Sequence, residues 1–233
     1  MILMRALLAA LPEDCRLILV GDADQLPSVG PGRVFSDILR SGAIPAVRLD
    51  EIFRQAEGSR IVRCAHEINR GEHPDFRENS GDLFLLGRRD EARAADTIVE
   101  LCAQRLPKRM GMAPEEIQVL TPTRKGELGS VSLNRRLQAA LNPPAKGKNE
   151  KIFGEVAFRE GDRVMQIRNN YDIIWYRNAL PGQKAESGFG IYNGDIGYIL
   201  GIDEENETLT VDFDGRIAAL GFEQLMQLEH AWA

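Results

Sequence analysis

The 233 residues are 43 % hydrophobic and 27 % charged, enough apolar material for one large domain or two small ones and without the bias of a disordered or fibrous chain. No apolar run approaches the roughly 20 residues a membrane helix needs, and Met1-Ile-Leu-Met-Arg5 lacks a signal peptide's basic lead and cleavage site, so no membrane partner and a cytoplasmic setting are expected. The net charge of −6 argues by itself against a polyanionic partner.

The charge is uneven, however. Residues 103–136 carry seven basic and three acidic side chains, residues 145–189 eight and six, and residues 190–233 one and nine. An acidic C-terminal stretch sets the total, which leaves room for a local basic track. Cys15, Cys64 and Cys102 are odd in number and widely spaced, without Cys-x-x-Cys or a nearby His at metal spacing, so three reduced structural thiols and no metal site are expected.

In chain order, Leu3, Leu7, Ala10 and Leu11 share a face and predict a helix ended by Pro12. Leu17-Ile-Leu-Val20 reads as a buried central strand of a parallel sheet. Such sheets bind ligands at the carboxyl ends of their strands, which puts Gly21, Asp22, Asp24 and Gln25 where a nucleotide would lie. Gln25 offers an amide donor and an acceptor to a terminal phosphate or its attacking water. Gly30, Pro31 and Gly32 fix a stiff turn before a short helix, Val34 to Arg40, ended near Gly42, and Val47 to Leu49 reads as a strand. Glu51-Ile-Phe-Arg-Gln55 follows; on residue type alone its Arg54 is a solvated surface cation.

Ser59 caps a predicted helix to about Arg70 with Ile61, Ala65 and Ile68 on one face and Gly71 as its stop. His66 and His73 lack the companions a metal needs. Leu83 to Leu86 reads as a buried strand, Asp90 as the cap of a helix to about Leu106, and Ile117 to Leu120 as a further strand, an alternation that suits a parallel α/β sheet. Thr121-Pro-Thr-Arg-Lys125 offers small hydroxyls and two cations, the means of gripping a phosphate backbone without reading sequence; the alternative is a Thr-Pro turn with a solvated Arg-Lys pair. Leu133, Leu137 and Leu141 then mark a helix from about Ser130, ended by Asn142-Pro-Pro144.

Past the polar Lys146-to-Lys151 linker the pattern changes to short strands: Val156 to Phe158, Arg163 to Arg168, Asp195 to Ile202, Thr208 to Phe213 and Arg216 to Leu220, with Asp214-Gly215 as a tight turn. These suit a small barrel, SH3-like or OB-like. Between them Asn169-Asn-Tyr-Asp172 and Tyr192-Asn-Gly-Asp195 flank a stretch holding Trp175, Tyr176, Arg177, Lys184 and Phe189. That stretch is either an aromatic-cationic platform for unpaired bases or a hairpin whose aromatics cover the barrel.

Taken in order, Gly21-Asp-Ala-Asp-Gln-Leu-Pro-Ser-Val-Gly-Pro-Gly32, Leu49-Asp-Glu-Ile-Phe-Arg-Gln55, Gly161-Asp-Arg-Val-Met-Gln166 and Tyr192-Asn-Gly-Asp-Ile-Gly197 resemble the RecD-like branch of superfamily one helicases, which includes the alpha subunit of exodeoxyribonuclease V. The resemblance implies an α/β fold: RecA-like parallel-sheet motor segments, residues 1–45 closing the first and residues 46–149 with 227–233 forming part of the second, interrupted by an SH3-like β-barrel at 150–226. It implies nucleotide-binding roles for Gly21, Asp22, Asp24, Gln25, Arg54 and Gln55, with Gln25 and Arg54 catalytic, Arg54 as an arginine finger on the γ-phosphate. The family commonly has Thr where Asp50 stands. For single-stranded DNA it points to Thr121, Thr123, Arg124, Lys125, Asn169, Asn170, Tyr171 and Asn193.

The phosphate-cradling Gly-x-x-x-x-Gly-Lys-Ser/Thr string is absent from these residues, as are the Asp-Glu pair ahead of Gly21 and the family's last motifs. The expectation is therefore a fragment of a 5′-to-3′ DNA helicase. ATP and Mg²⁺ serve the complete parent and neither binds the fragment tightly; exonuclease subunits are candidate partners; the isolated piece is inactive as an ATPase. The rival expectation is a non-catalytic single-strand-binding or protein-docking module, and an RNA-directed helicase is a third.

Overall fold

The computed structural model describes residues 2–25, 32–49, 58–77, 81–177 and 186–233. Two compact units divide at residue 86: Met1–Leu86 and Gly87–Ala233.

The first unit holds α1 (Ile2–Ala10), α2 (Val34–Ser41) and α3 (Arg60–Asn69). Helix α2 ends as its sequence demands, on Gly42 in the left-handed region at φ 63°. Helix α3 begins on Ser59, whose hydroxyl accepts the Val62 N–H at 3.2 Å, and gives way at Gly71. Its expected apolar face is not the buried one: Ile61 and Ile68 are more than half exposed, while Arg60 and Cys64 turn inward. Arg60 donates to the carbonyls of Leu83 and Asp75 at 3.1 and 3.0 Å, so polar anchoring sets the helix's rotation.

The segment read as the central strand, Leu17 to Val20, is extended but pairs with no strand among the described residues, and Val20 is 93 % exposed. The same holds for Val47 to Leu49, and Leu83 to Leu86 contributes only a single-residue bridge at Leu83. A strand of a parallel sheet takes its hydrogen bonds from neighbours separated by a crossover, and the described residues supply none. Among the described residues every strand-to-strand ladder is antiparallel.

The second unit is two clusters built on one chain. Helix α4 (Glu91–Glu100) starts on Asp90, which accepts the Arg93 N–H at 2.8 Å. It runs through one wide turn, Leu101–Arg105, into α5 (Leu106–Met110). The wide turn sits directly before Pro107, whose ring and missing N–H a regular turn could not accommodate. Helix α6 (Ser130–Leu141) buries Leu133 and Leu137 against Ala95, Cys102 and Trp232. Ile117 and Val119 pack there in extended chain that forms no strand, and Leu120 points away. Burial raises the Cys102 thiol; Cys64 is buried too, but Cys15 is exposed, contrary to the expectation of three structural thiols.

After α6 come β1 (Glu150–Phe153), β2 (Val156–Arg159), β3 (Arg163–Gln166), β4 (Asn170–Arg177), β5 (Glu186–Ile191), β6 (Ile196–Asp203), β7 (Thr208–Phe213), β8 (Arg216–Gly221), a 3₁₀ turn (Phe222–Gln227) and β9 (Leu228–His230). β1 and β2 form a hairpin, and the others a seven-stranded sheet in the order β5-β4-β8-β7-β6-β3-β9. Its terminal strands β5 and β9 do not pair, so the expected barrel is an open sheet. Leu209, Val211 and Phe213 alternate inward from β7 and join Val164, Ile199 and Leu220 in a core sealed by Phe158 of β2. At the β7–β8 turn Asp214 and Gly215 have φ of 54° and 82°, as a two-residue hairpin of this twist requires.

Candidate nucleic-acid interface

Gly21 to Gln25 form a self-contained turn. The Asp22 carboxylate accepts the Asp24 N–H at 2.9 Å and the Gln25 amide at 3.0 Å, and these bonds, the backbone one first, hold Asp22 below its ordinary pKa. Arg48 reaches Asp24 at 3.4 Å across an exposed surface. The Gln25 amide is thus committed to its own turn. Arg54 and Gln55 lie outside the described residues, so the facing of Gln25 and Arg54 does too. The donor set here, two carboxylates and an amide, holds no phosphate cradle, and no group of three metal-ligating side chains occurs among the described residues.

Residues 121–129 fold back on the start of α6. The Thr121 hydroxyl donates to the Leu128 carbonyl at 2.6 Å and the Thr123 hydroxyl to that of Lys125 at 3.3 Å, while the Thr123 carbonyl accepts the Ser130 N–H at 3.0 Å. Only glycine fits at Gly129, because a Cβ would stand 2.5 Å from the Lys125 carbonyl oxygen. Both threonine hydroxyls therefore hold the loop together, which leaves the cations of Arg124 and Lys125 outermost. Arg124 pairs with Glu229 of β9, 105 residues away.

The second predicted cluster is assembled from both ends of the β4–β5 hairpin. Asn169 accepts the Asn193 N–H at 2.9 Å, and Asp195 accepts the Tyr192 N–H at 2.8 Å. Gly194, at φ 95°, closes the turn by donating to the Gln166 carbonyl at 2.9 Å. The Tyr171 and Tyr192 rings meet edge to face at 5.6 Å, and Tyr171 is 65 % exposed. Asn170 donates to Gln227 at 3.1 Å, and the same Gln227 oxygen accepts the buried Gln166 amide at 3.0 Å.

The two clusters share an anchor. Gln227 holds the tyrosine-asparagine group and Glu229 holds Arg124, two residues apart where the 3₁₀ turn enters β9. Gln227 closes the 3₁₀ turn and Glu229 lies two residues on in β9, so cations and aromatic rings from distant sequence are fastened to one short segment.

That segment is itself locked by Asp162 of the Gly161-to-Gln166 motif, an acid whose structural role sequence reasoning missed. Asp162 is fully buried and accepts from Asn142 at 2.7 Å, Gln138 at 2.6 Å and the Arg159 N–H at 2.7 Å, with His230 of β9 at 3.1 Å. It thereby joins α6, β2 and β9. The only local hint was Gln138 and Asn142, one helical turn apart above Leu137; Asp162 and His230 are linked by folding alone.

Comparison with known proteins agrees with the motif order. Residues 133–213 match the ATP-dependent RecD-like DNA helicase SH3 domain and residues 2–83 an AAA domain. Over 231 residues the chain is 34 % identical to the ATP-dependent RecD2 DNA helicase of Deinococcus radiodurans, an alignment that covers 99 % of this chain and 28 % of that protein. An uncharacterised protein of Methanocaldococcus jannaschii is 26 % identical over 93 % of this chain and 22 % of its own length. The chain thus spans about a quarter of the length of these curated relatives. An AAA segment followed by the family's own SH3 domain, inside one near-complete alignment, makes this chain a RecD-like helicase segment.

Proposed function

We propose that the chain works as part of an ATP-dependent DNA helicase and that its second unit holds one DNA strand. The observation that supports this most is the convergence of the Arg124–Lys125 loop and the Asn169-Asn170-Tyr171-Asn193 cluster on Gln227 and Glu229. Cations grip phosphates irrespective of sequence, exposed rings stack on unpaired bases, and Arg124, largely exposed although its partner Glu229 is mostly covered, can exchange that carboxylate for a phosphate. Thr121 and Thr123 set the loop's shape in this scheme.

In the parent, ATP and Mg²⁺ would supply the work of translocation from 5′ to 3′, with Gln25 and Arg54 at the γ-phosphate, in recombination or repair and with exonuclease subunits as candidate partners. The described residues form no phosphate cradle, and the isolated chain is expected not to turn ATP over.

Fluorescence anisotropy of a labelled oligothymidine against the 233-residue chain tests the reading. Binding should weaken with salt, by a slope of about −0.7 for each phosphate contacted, with no ATPase above background. Absence of binding at low salt, or ATP turnover by the pure chain, contradicts it. A non-catalytic binding module is the second reading, favoured by the concentration of buried apolar residues in Gly87–Ala233. Binding that survives in residues 87–233 alone would support it.

A further inference from the structure

An antiparallel sheet with one face on its core presents polar side chains on the other. Here the outer face of β4, β8 and β7 breaks that rule. Ile174 and Tyr176 of β4 and Ala219 of β8 are exposed, Ile217 is half-buried, and Tyr176 lies directly opposite Ile217 in the ladder. Phe189, 69 % exposed, extends the patch onto β5 as the cross-strand partner of Ile174. Ile174, Tyr176, Ile217 and Ala219, with Thr210 of β7, floor a hollow of about 380 Å³, rimmed by Asp172 and Gln224.

Charge decides what fits it. No lysine or arginine lines the hollow among the described residues. Asp212 lies beside Ile217 on the outward side of β7, and Arg216, the sole cation of residues 190–233, is neutralised by Asp195 at 3.0 Å. An acid-rimmed apolar surface repels a phosphate backbone. Three adjacent strands at about 4.8 Å spacing span about 10 Å, the width of one α-helix, and helix-on-sheet is a standard way to cover such a face.

We propose that this face docks an amphipathic helix of a protein partner, with an apolar stripe over Ile174, Tyr176 and Ile217 and flanking lysines or arginines against Asp172 and Asp212. It adjoins the strand-holding site along β4, where the Asp172 N–H donates to the Asn170 side chain at 3.0 Å, but uses none of that site's residues. Asp172 and Asp212 become the partner's specificity elements, and Tyr176 its central anchor.

The test uses the full 233-residue chain and labelled helical peptides of leucine and lysine in a helical amphipathic pattern, with controls in which serine replaces leucine or glutamate replaces lysine. The leucine-lysine peptide should bind, and both controls should bind at least tenfold more weakly. Tyr176→Ala and Ile174→Ser should each weaken binding about tenfold and Asp172→Asn about threefold, with circular dichroism matching the parent chain and, for Ile174→Ser, oligothymidine affinity unchanged. Equal binding of the serine-lysine control, or insensitivity to Tyr176→Ala and Ile174→Ser together, overturns the proposal. Concentration-dependent dimerisation abolished by Ile174→Ser also overturns it, by assigning the face to a second copy.

Discussion

Residues 87–233 and residues 2–86 carry similar apolar runs and use them differently. Phe213, Leu209 and Val211 on β7 are completely buried, whereas Val20, at the end of an equally apolar run, is 93 % exposed; Arg60 and Cys64 are the only buried residues among those described in the first unit. The difference lies in where partners come from. β6, β7 and β8 follow one another through tight turns, so each strand finds its neighbour within a few residues. Leu17 to Val20 has the composition of a parallel central strand, and such a strand depends on neighbours a crossover away. Apolar composition specifies that a segment wants burial; connectivity decides whether the chain at hand can provide it.

The strongest way to break that contrast is Asp162→Ala. Removing the acid strands Asn142, Gln138, the Arg159 amide and His230 inside the second unit, and the expected loss is about 3–5 kcal/mol, read as the urea transition of that unit. A loss below about 1 kcal/mol would mean that α6 and β9 are held by packing alone. Next, Leu209→Ala should cost about 2–5 kcal/mol and Val20→Ala no more than about 0.5. Equal losses would show that Val20 is buried in solution. Smaller still, Gly215→Ala, at φ 82°, should cost about 1 kcal/mol by straining the β7–β8 turn.

A pH effect sharpens the first unit. Asp82 accepts from the Ser59 hydroxyl at 2.5 Å and from the Arg60 N–H at 2.9 Å, and the Ser59 bond foremost holds its pKa below the ordinary 3.8. A depressed carboxylate supports the fold fully above the ordinary value, and that support is lost as pH falls through the depressed one. The start of α3 should therefore loosen on acidification, visible in the amide shifts of Arg60 and Ile61, and Asp82→Asn should show the loosened signature already at neutral pH.

How legible each part was follows from the range of its contacts. Helix α6 announced itself by Leu133, Leu137, Leu141 and the Asn142-Pro-Pro stop, and the caps at Ser59 and Asp90 by local hydrogen-bonding chemistry that needs no distant partner. β7 and β8 were visible through alternation and the Asp214-Gly215 turn. β4 and β5 were legible only as one of two alternatives, the hairpin over the barrel, because Asn169-Asn-Tyr-Asp172 opens β4 with turn-forming residues, and β9 was too short to show a period. The candidate site was legible in its members and not in its assembly. Arg124 was named from chemistry and Tyr171 and Asn193 through the family resemblance, but the bridges through Gln227 and Glu229 span 57 and 105 residues, and nothing in local spacing encodes them.

The central claim is that this assembly grips a single strand through both of its parts. The most direct measurement is oligothymidine affinity across a salt series for the full chain, Lys125→Ala and Tyr171→Ala. Lys125→Ala should weaken binding and flatten the salt slope by about 0.7, and Tyr171→Ala should cost about 1–3 kcal/mol with the slope unchanged. If both variants bind as the parent chain does, the strand does not run over this surface.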